Sequence, residues 1–200
     1  MAPLWPTWWL TATTTVCSAA PRRRAALAPR SPAGAGRAAP RTSYTTRDGD
    51  GSAANQFNYP VDGVALEQAA DGSVIAYVVV DQYNCRVQRC TPAEGGVCTT
   101  VAGGNGAGSA ANQLYSPKGL ALEQAPDGSV IAYLVADYFN HRVQRCDPTD
   151  GGACTTVAGG HGSGRVNQLN RPEGVAIEQA ANGSVIAYLV VDRDEIGSVV

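Results

Sequence analysis

The chain is poor in charge, in histidine and in bulky side chains. Only 16% of its 200 residues are Asp, Glu, Lys or Arg, and it holds two Phe, one Met and two His. So low a charge content excludes a long coiled coil and a charge-rich disordered protein. No uninterrupted apolar run approaches the ~20 residues a helix needs to cross a bilayer. No Cys-x-x-Cys pair occurs, and His141 and His161 do not fall at ligand spacing from any cysteine, which argues against structural zinc. What is abundant is Gly (23) and Pro (12), which favour turns and short strands over helices.

Charge divides the chain in two. Residues 1–54 carry seven arginines against Asp48 and Asp50, whereas residues 55–200 carry 8 basic and 15 acidic side chains. Residues 1–41 are expected to form a disordered leader or targeting segment. Trp5, Trp8, Trp9 and Leu10 followed by Ser18-Ala19-Ala20 resemble a secretory apolar region and cleavage site, but no positive charge precedes them; the acid-free, Arg-rich stretch after them resembles an organelle transit peptide. The acidic remainder is a poor match for phosphates, so a basic protein or peptide is expected as partner rather than nucleic acid.

Residues 42–200 repeat themselves. Gly63-Val64-Ala65-Leu66-Glu67-Gln68 returns as Gly119-Leu120-Ala121-Leu122-Glu123-Gln124 and as Gly174-Val175-Ala176-Ile177-Glu178-Gln179. Asp71-Gly72-Ser73-Val74-Ile75-Ala76-Tyr77 returns from Asp127 and, with Asn182 in place of Asp, a third time. Units of about 55–111, 112–166 and 167–200 follow, the last incomplete, and a period of this size marks a repeat array. Each unit reads as four strands, in the first at residues 63–68 (A), 73–80 (B), 86–90 (C) and 97–102 (D). Asp-Gly between two apolar runs is a hairpin signal, because both residues tolerate positive φ. Strand B is apolar on both alternating faces and must be covered on both sides. These features predict an all-β fold, a partial β-propeller of four-stranded antiparallel blades.

Within the second unit, Pro117-x-Gly119-Leu120-Ala121 and Asp137-Tyr138-Phe139-Asn140-His141-Arg142-Val143-Gln144 resemble the NHL repeat, with Asn140-His141 at its hallmark dipeptide. The first unit has Cys85 in place of that His, and the third lacks both the Asn and the Arg after Asp192. The resemblance covers about residues 55–192. It implies a propeller, usually of six blades, that most often serves as a binding platform; some relatives are hydrolases or lyases. Two units and part of a third do not make a ring. The chain is therefore read as a partial gene product, or as one whose copies self-associate to complete a ring.

The candidate chemistry is sparse. Cys90 and Cys98, and Cys146 and Cys154, would face one another across the C–D hairpins and are expected to form two disulfides, which favours a secreted or lumenal setting, with an organelle as the alternative. Cys17 and Cys85 are left over, Cys85 as a turn or core thiol. Asp81 with Arg86, and Asp137 with Arg142, span the B–C turns and are expected to form structural ion pairs. Strand alternation puts the B–C turns and inter-blade links on one rim, so Tyr83, Tyr138, Phe139 and His141 are the candidate binding residues. The expected function is a non-enzymatic protein-interaction module without cofactor, catalytic residue or metal. The alternative is a fragment of a lactonase- or lyase-like propeller enzyme, in which Glu67, Glu123 and Glu178 would gather around a metal in the central channel.

Overall fold

The computed structural model describes residues 51, 53–60, 62–92, 96–149, 152–160, 169–193 and 198–199. The leader expected at 1–41, Cys17 and His161 lie outside them. Among the described residues, eleven strands form three antiparallel sheets in chain order. The first holds β1 (Val64–Gln68), β2 (Val74–Asp81), β3 (Arg86–Thr91) and β4 (Val97–Gly103). The second holds β5 (Pro117–Gln124), β6 (Val130–Asp137), β7 (Arg142–Cys146) and β8 (Cys154–Gly159). The third holds β9 (Pro172–Gln179), β10 (Val185–Asp192) and β11 (Ser198–Val199). The fold is all-β, an arc of a β-propeller with up-and-down blades. The sequence reading ended the third unit at strand B; β11 adds a short third strand, with Val199 opposite Leu189.

The three A–B turns are built alike. Asp71 Oδ1 accepts hydrogen bonds from the Ser73 N–H (2.9 Å) and hydroxyl (2.6 Å); Asp127 and Asn182 do the same for Ser129 and Ser184. Gly72, at φ 81°, takes the left-handed position this turn requires.

The two-sided apolar strands are sandwiched as their pattern demands. Val78 and Val80 of β2 meet Tyr133 and Val135 of β6 in a core between the first two sheets, with Leu114 filling its end. The other face of β6 presents Leu134, which packs with Val190, Leu169 and Val143 between the second and third sheets. The inner strands β1, β5 and β9 converge at one glycine per repeat. A Cβ on Gly63 would lie 2.3 Å from the Lys118 carbonyl oxygen, and one on Gly119 would lie 2.7 Å from that of Glu173. Only a residue without a side chain permits this approach, so the repeated glycine sets how closely adjacent blades meet.

Both expected disulfides form. Cys90 and Cys146 stand directly opposite Cys98 and Cys154, with Cα atoms 4.0 Å apart in each pair. Cys85 is disulfide-bonded as well rather than the free thiol expected of it.

Leu134→Ala should cost about 2–5 kcal/mol in urea unfolding, against no more than about 0.5 kcal/mol for Ile75→Ala at the exposed end of β2. Replacing both Cys146 and Cys154 by Ser should lower stability by about 2–3 kcal/mol, the chain-entropy value for a bridge eight residues long.

Candidate binding rim

Each B–C connection is a single turn of 3-10 helix, Gln82–Asn84 and Tyr138–Asn140, closed by a left-handed residue, Cys85 (φ 50°) and His141 (φ 55°). Beneath it sits a buried polar knot. In the second sheet, Asp137 Oδ2 accepts hydrogen bonds from Arg142 Nε (2.8 Å) and Asn140 Nδ2 (2.8 Å), and Oδ1 accepts one from the Tyr115 N–H (2.7 Å). Arg142 also donates to the carbonyls of Ser109, Ala110 and Gln113, and Asn140 to that of Gly108. The first sheet repeats the knot. Asp81 holds Arg86, Asn84 and the Asn58 N–H, while Arg86 donates to the carbonyls of Gly51, Ala53 and Gln56. Each guanidinium thus joins the aspartate at the strand end to the irregular link that precedes its own sheet. These residues clamp the links that form the rim. In the third sheet Asp192 Oδ2 accepts from the Asn170 N–H (2.5 Å), and Oδ1 has no partner among the described residues.

Burial pushes the Asp137 and Asp81 carboxyls above their ordinary value, against the opposing pull of the asparagine, backbone and arginine donors. The exposed Asp71, Asp127 and Asp147 go the other way, held down by hydrogen bonds from Ser73, Ser129 and Thr149.

On top of the knots lie aromatic side chains. Tyr59 stacks on Tyr83 with ring centroids 4.6 Å apart and planes 12° from parallel. Tyr115 tilts against Phe139 at 4.9 Å. Tyr83 and Phe139 are half-buried and Tyr59 is 52% exposed, so each pair presents part of its aromatic surface at the rim. Tyr138 is not part of that surface. It is buried, capped by Lys118 Nζ 4.2 Å from its ring centroid, and its hydroxyl accepts a hydrogen bond from Arg193 (2.9 Å). His141 braces the neighbouring link, its Nδ1 accepting the Arg171 N–H at 3.2 Å.

The sequence reading passed over Tyr59, Tyr115, Lys118 and Arg171. Tyr59 and Arg171 occupy left-handed positions (φ 58° and 62°) that project them toward the rim, and neither residue type signals such a backbone. Arg171 lies about 6 Å from the rings of Tyr138 and Phe139. Lys118, whose Nζ is also paired with Glu173 Oε1 (2.8 Å), and Arg193 meet the ring and hydroxyl of the same Tyr138.

The carboxylates proposed for a channel metal are otherwise engaged. Glu67 is gripped by Arg89 through two hydrogen bonds (2.6 and 3.0 Å), and Glu123 by Arg145 in the same way (2.7 and 3.1 Å). Tyr133 and Tyr188 of the following sheets stand beside these pairs, and burial together with the neighbouring glutamate raises the pKa of each hydroxyl. Glu67 and Glu123 are therefore held by arginine within their own sheets, and Glu178 is exposed.

A native carboxyl with a raised pKa binds its proton more tightly than the unfolded chain does. Asp81 and Asp137 therefore contribute stability at low pH that is lost as pH rises from the ordinary 3.8 through their native values. Carboxyl 13C titration by NMR should place both midpoints above 3.8 and those of Asp71, Asp127 and Asp147 below it. Asp137→Ala, which strands Arg142, should destabilise by about 3–5 kcal/mol in urea unfolding.

No protein-family model matches the sequence, and no curated protein matches it. Among solved structures, similarity is found to an auxiliary nutrient binding protein from Bacteroides thetaiotaomicron (17% identity, TM-score 0.49, covering 66% of this chain and 35% of that one). It is also found to a candidate phosphatase from the same organism (13%, 0.49, 67% and 33%) and to an auxiliary nutrient binding protein from Bacteroides ovatus (15%, 0.46, 66% and 35%). The chain spans about a third of the length of each of these proteins.

Proposed function

We propose that this chain is a non-enzymatic protein-interaction module of the NHL-repeat type, and that it binds a protein or peptide through the rim formed by the B–C turns and the inter-blade links. The aromatic surface carries this reading. Tyr59 on Tyr83 and Tyr115 against Phe139 place four rings on one rim, above links fixed by the Asp–Arg–Asn knots. Rigid aromatic side chains on a pre-organised surface lose little entropy on binding and supply most of the affinity at protein interfaces. Arg171, about 6 Å from the Phe139 ring, adds one cation to a rim where Lys118 is already paired with Glu173, so a partner anchored by apolar or aromatic side chains suits this rim best. The clamped Glu67 and Glu123 favour this reading over a channel metal. The two disulfide-bonded hairpins support a secreted or lumenal setting.

A random peptide display library selected on the purified chain tests the proposal. Selected peptides should be rich in aromatic and apolar residues. A Tyr83→Ala, Phe139→Ala double variant should bind them at least about tenfold more weakly with its melting temperature nearly unchanged. Equal binding by that variant places the interface elsewhere and sinks the rim.

A further inference from the structure

Each end of the arc leaves bare a face that every internal junction buries. On the side of β2 and β6 that meets the following sheet, Val78, Val80, Leu134 and Ala136 are all fully buried. The repeat places Leu189 and Val191 at the same positions of β10, where they are 43% and 56% exposed. On the opposite side, Leu120 and Leu122 of β5 pack into the core shared with the first sheet, and Val175 and Ile177 of β9 into the core shared with the second. Their counterparts on β1, Val64 and Leu66, are 69% and 47% exposed.

The inner-strand glycines mark the same two ends. Lys118 lays its carbonyl against Gly63, and Glu173 lays its own against Gly119. Among the described residues Gly174 meets no following strand: a Cβ there would touch only Val191, at an ordinary 3.5 Å. The notch that receives a neighbour's backbone is present, and no described residue fills it. The residue that would fill it, the counterpart of Lys118 and Glu173, is Asp62 at the exposed start of the first sheet.

We propose that a second copy of this chain docks head to tail on these faces. Its first sheet brings Val64 and Leu66 onto Leu189 and Val191, with its Asp62 carbonyl in the Gly174 notch. The contact continues one already made twice within the chain, between residues of the same repeat positions. Two such junctions close a ring of six sheets, within the range of blade counts that propellers adopt. The inference is independent of what binds the rim.

Light scattering and sedimentation on the full chain test it. The wild type should have twice the mass of one chain at about micromolar concentration. Gly174→Ala fills a notch that no described residue of the same chain occupies. It should keep the far-UV spectrum and melting transition of a dissociated monomer while weakening association at least about tenfold. Leu189→Asp and Val64→Asp should each give monomers. An equimolar mixture of the two should regain mixed dimers, because one intact junction remains. Should an Asp variant lose its fold, Val191→Ser and Leu66→Ser serve in its place. A monomeric wild type at about 100 μM, unaltered association in Gly174→Ala, open assemblies larger than two copies, or a mixture that stays monomeric would each overturn the proposal.

Discussion

The second strand of each sheet is apolar on both faces, and a single sheet cannot satisfy it. Val78 and Val79 point in opposite directions, and so do Leu134 and Val135; each pair needs apolar cover above and below. Stacking successive repeats supplies that cover. The face of one sheet becomes the lid of the next, and the core is continuous from Val78 through Tyr133 and Leu134 to Val190. The rest of the structure follows from the need to hold the sheets in register while they stack.

Three devices do so at different radii. Near the axis, a glycine in each inner strand lets the neighbouring backbone approach. Farther out, the Glu67–Arg89 and Glu123–Arg145 pairs brace the first strand of each sheet to its third, beside Tyr133 and Tyr188 of the sheet that follows. At the rim, Asp81 and Asp137 gather an arginine, an asparagine and a backbone N–H into a buried knot that fixes the incoming link. The polar groups of these links would otherwise be left unpaired against the sheet, which is costly in a low-dielectric setting. Their full satisfaction is what allows irregular chain to be a rigid platform. The same knot is incomplete at Asp192, where the sequence departs from the repeat.

Much of this was legible in the residues. Strand limits read from alternation agree with the observed ones to within about a residue over the first sheet, because the period-two pattern was uninterrupted and the Asp-Gly turn was unambiguous. The cross-strand cysteine pairs followed from hairpin symmetry. The rim was less legible. Tyr138 occurs beside Phe139 in sequence, but a helical turn separates their directions and buries one of them. Lys118, Arg171 and Arg193 come from three different segments, and no local pattern announces that they gather around one tyrosine. Glu67 and Arg89 lie on strands separated by β2, so their pairing depends on a register that spacing does not state.

The sequence by itself determined the repeat, its strands, its turns, the Asp–Arg pairs across the B–C turns and the cysteine pairs across the C–D hairpins, since these depend on alternation and short-range spacing. Only the tertiary structure decided which of the equivalent residues are covered. Leu134 and Leu189 hold the same place in their repeats, yet one is sealed and the other faces outward. Burial is a property of the neighbour that stacks against a face, and a repeated residue carries no record of whether its own repeat has one.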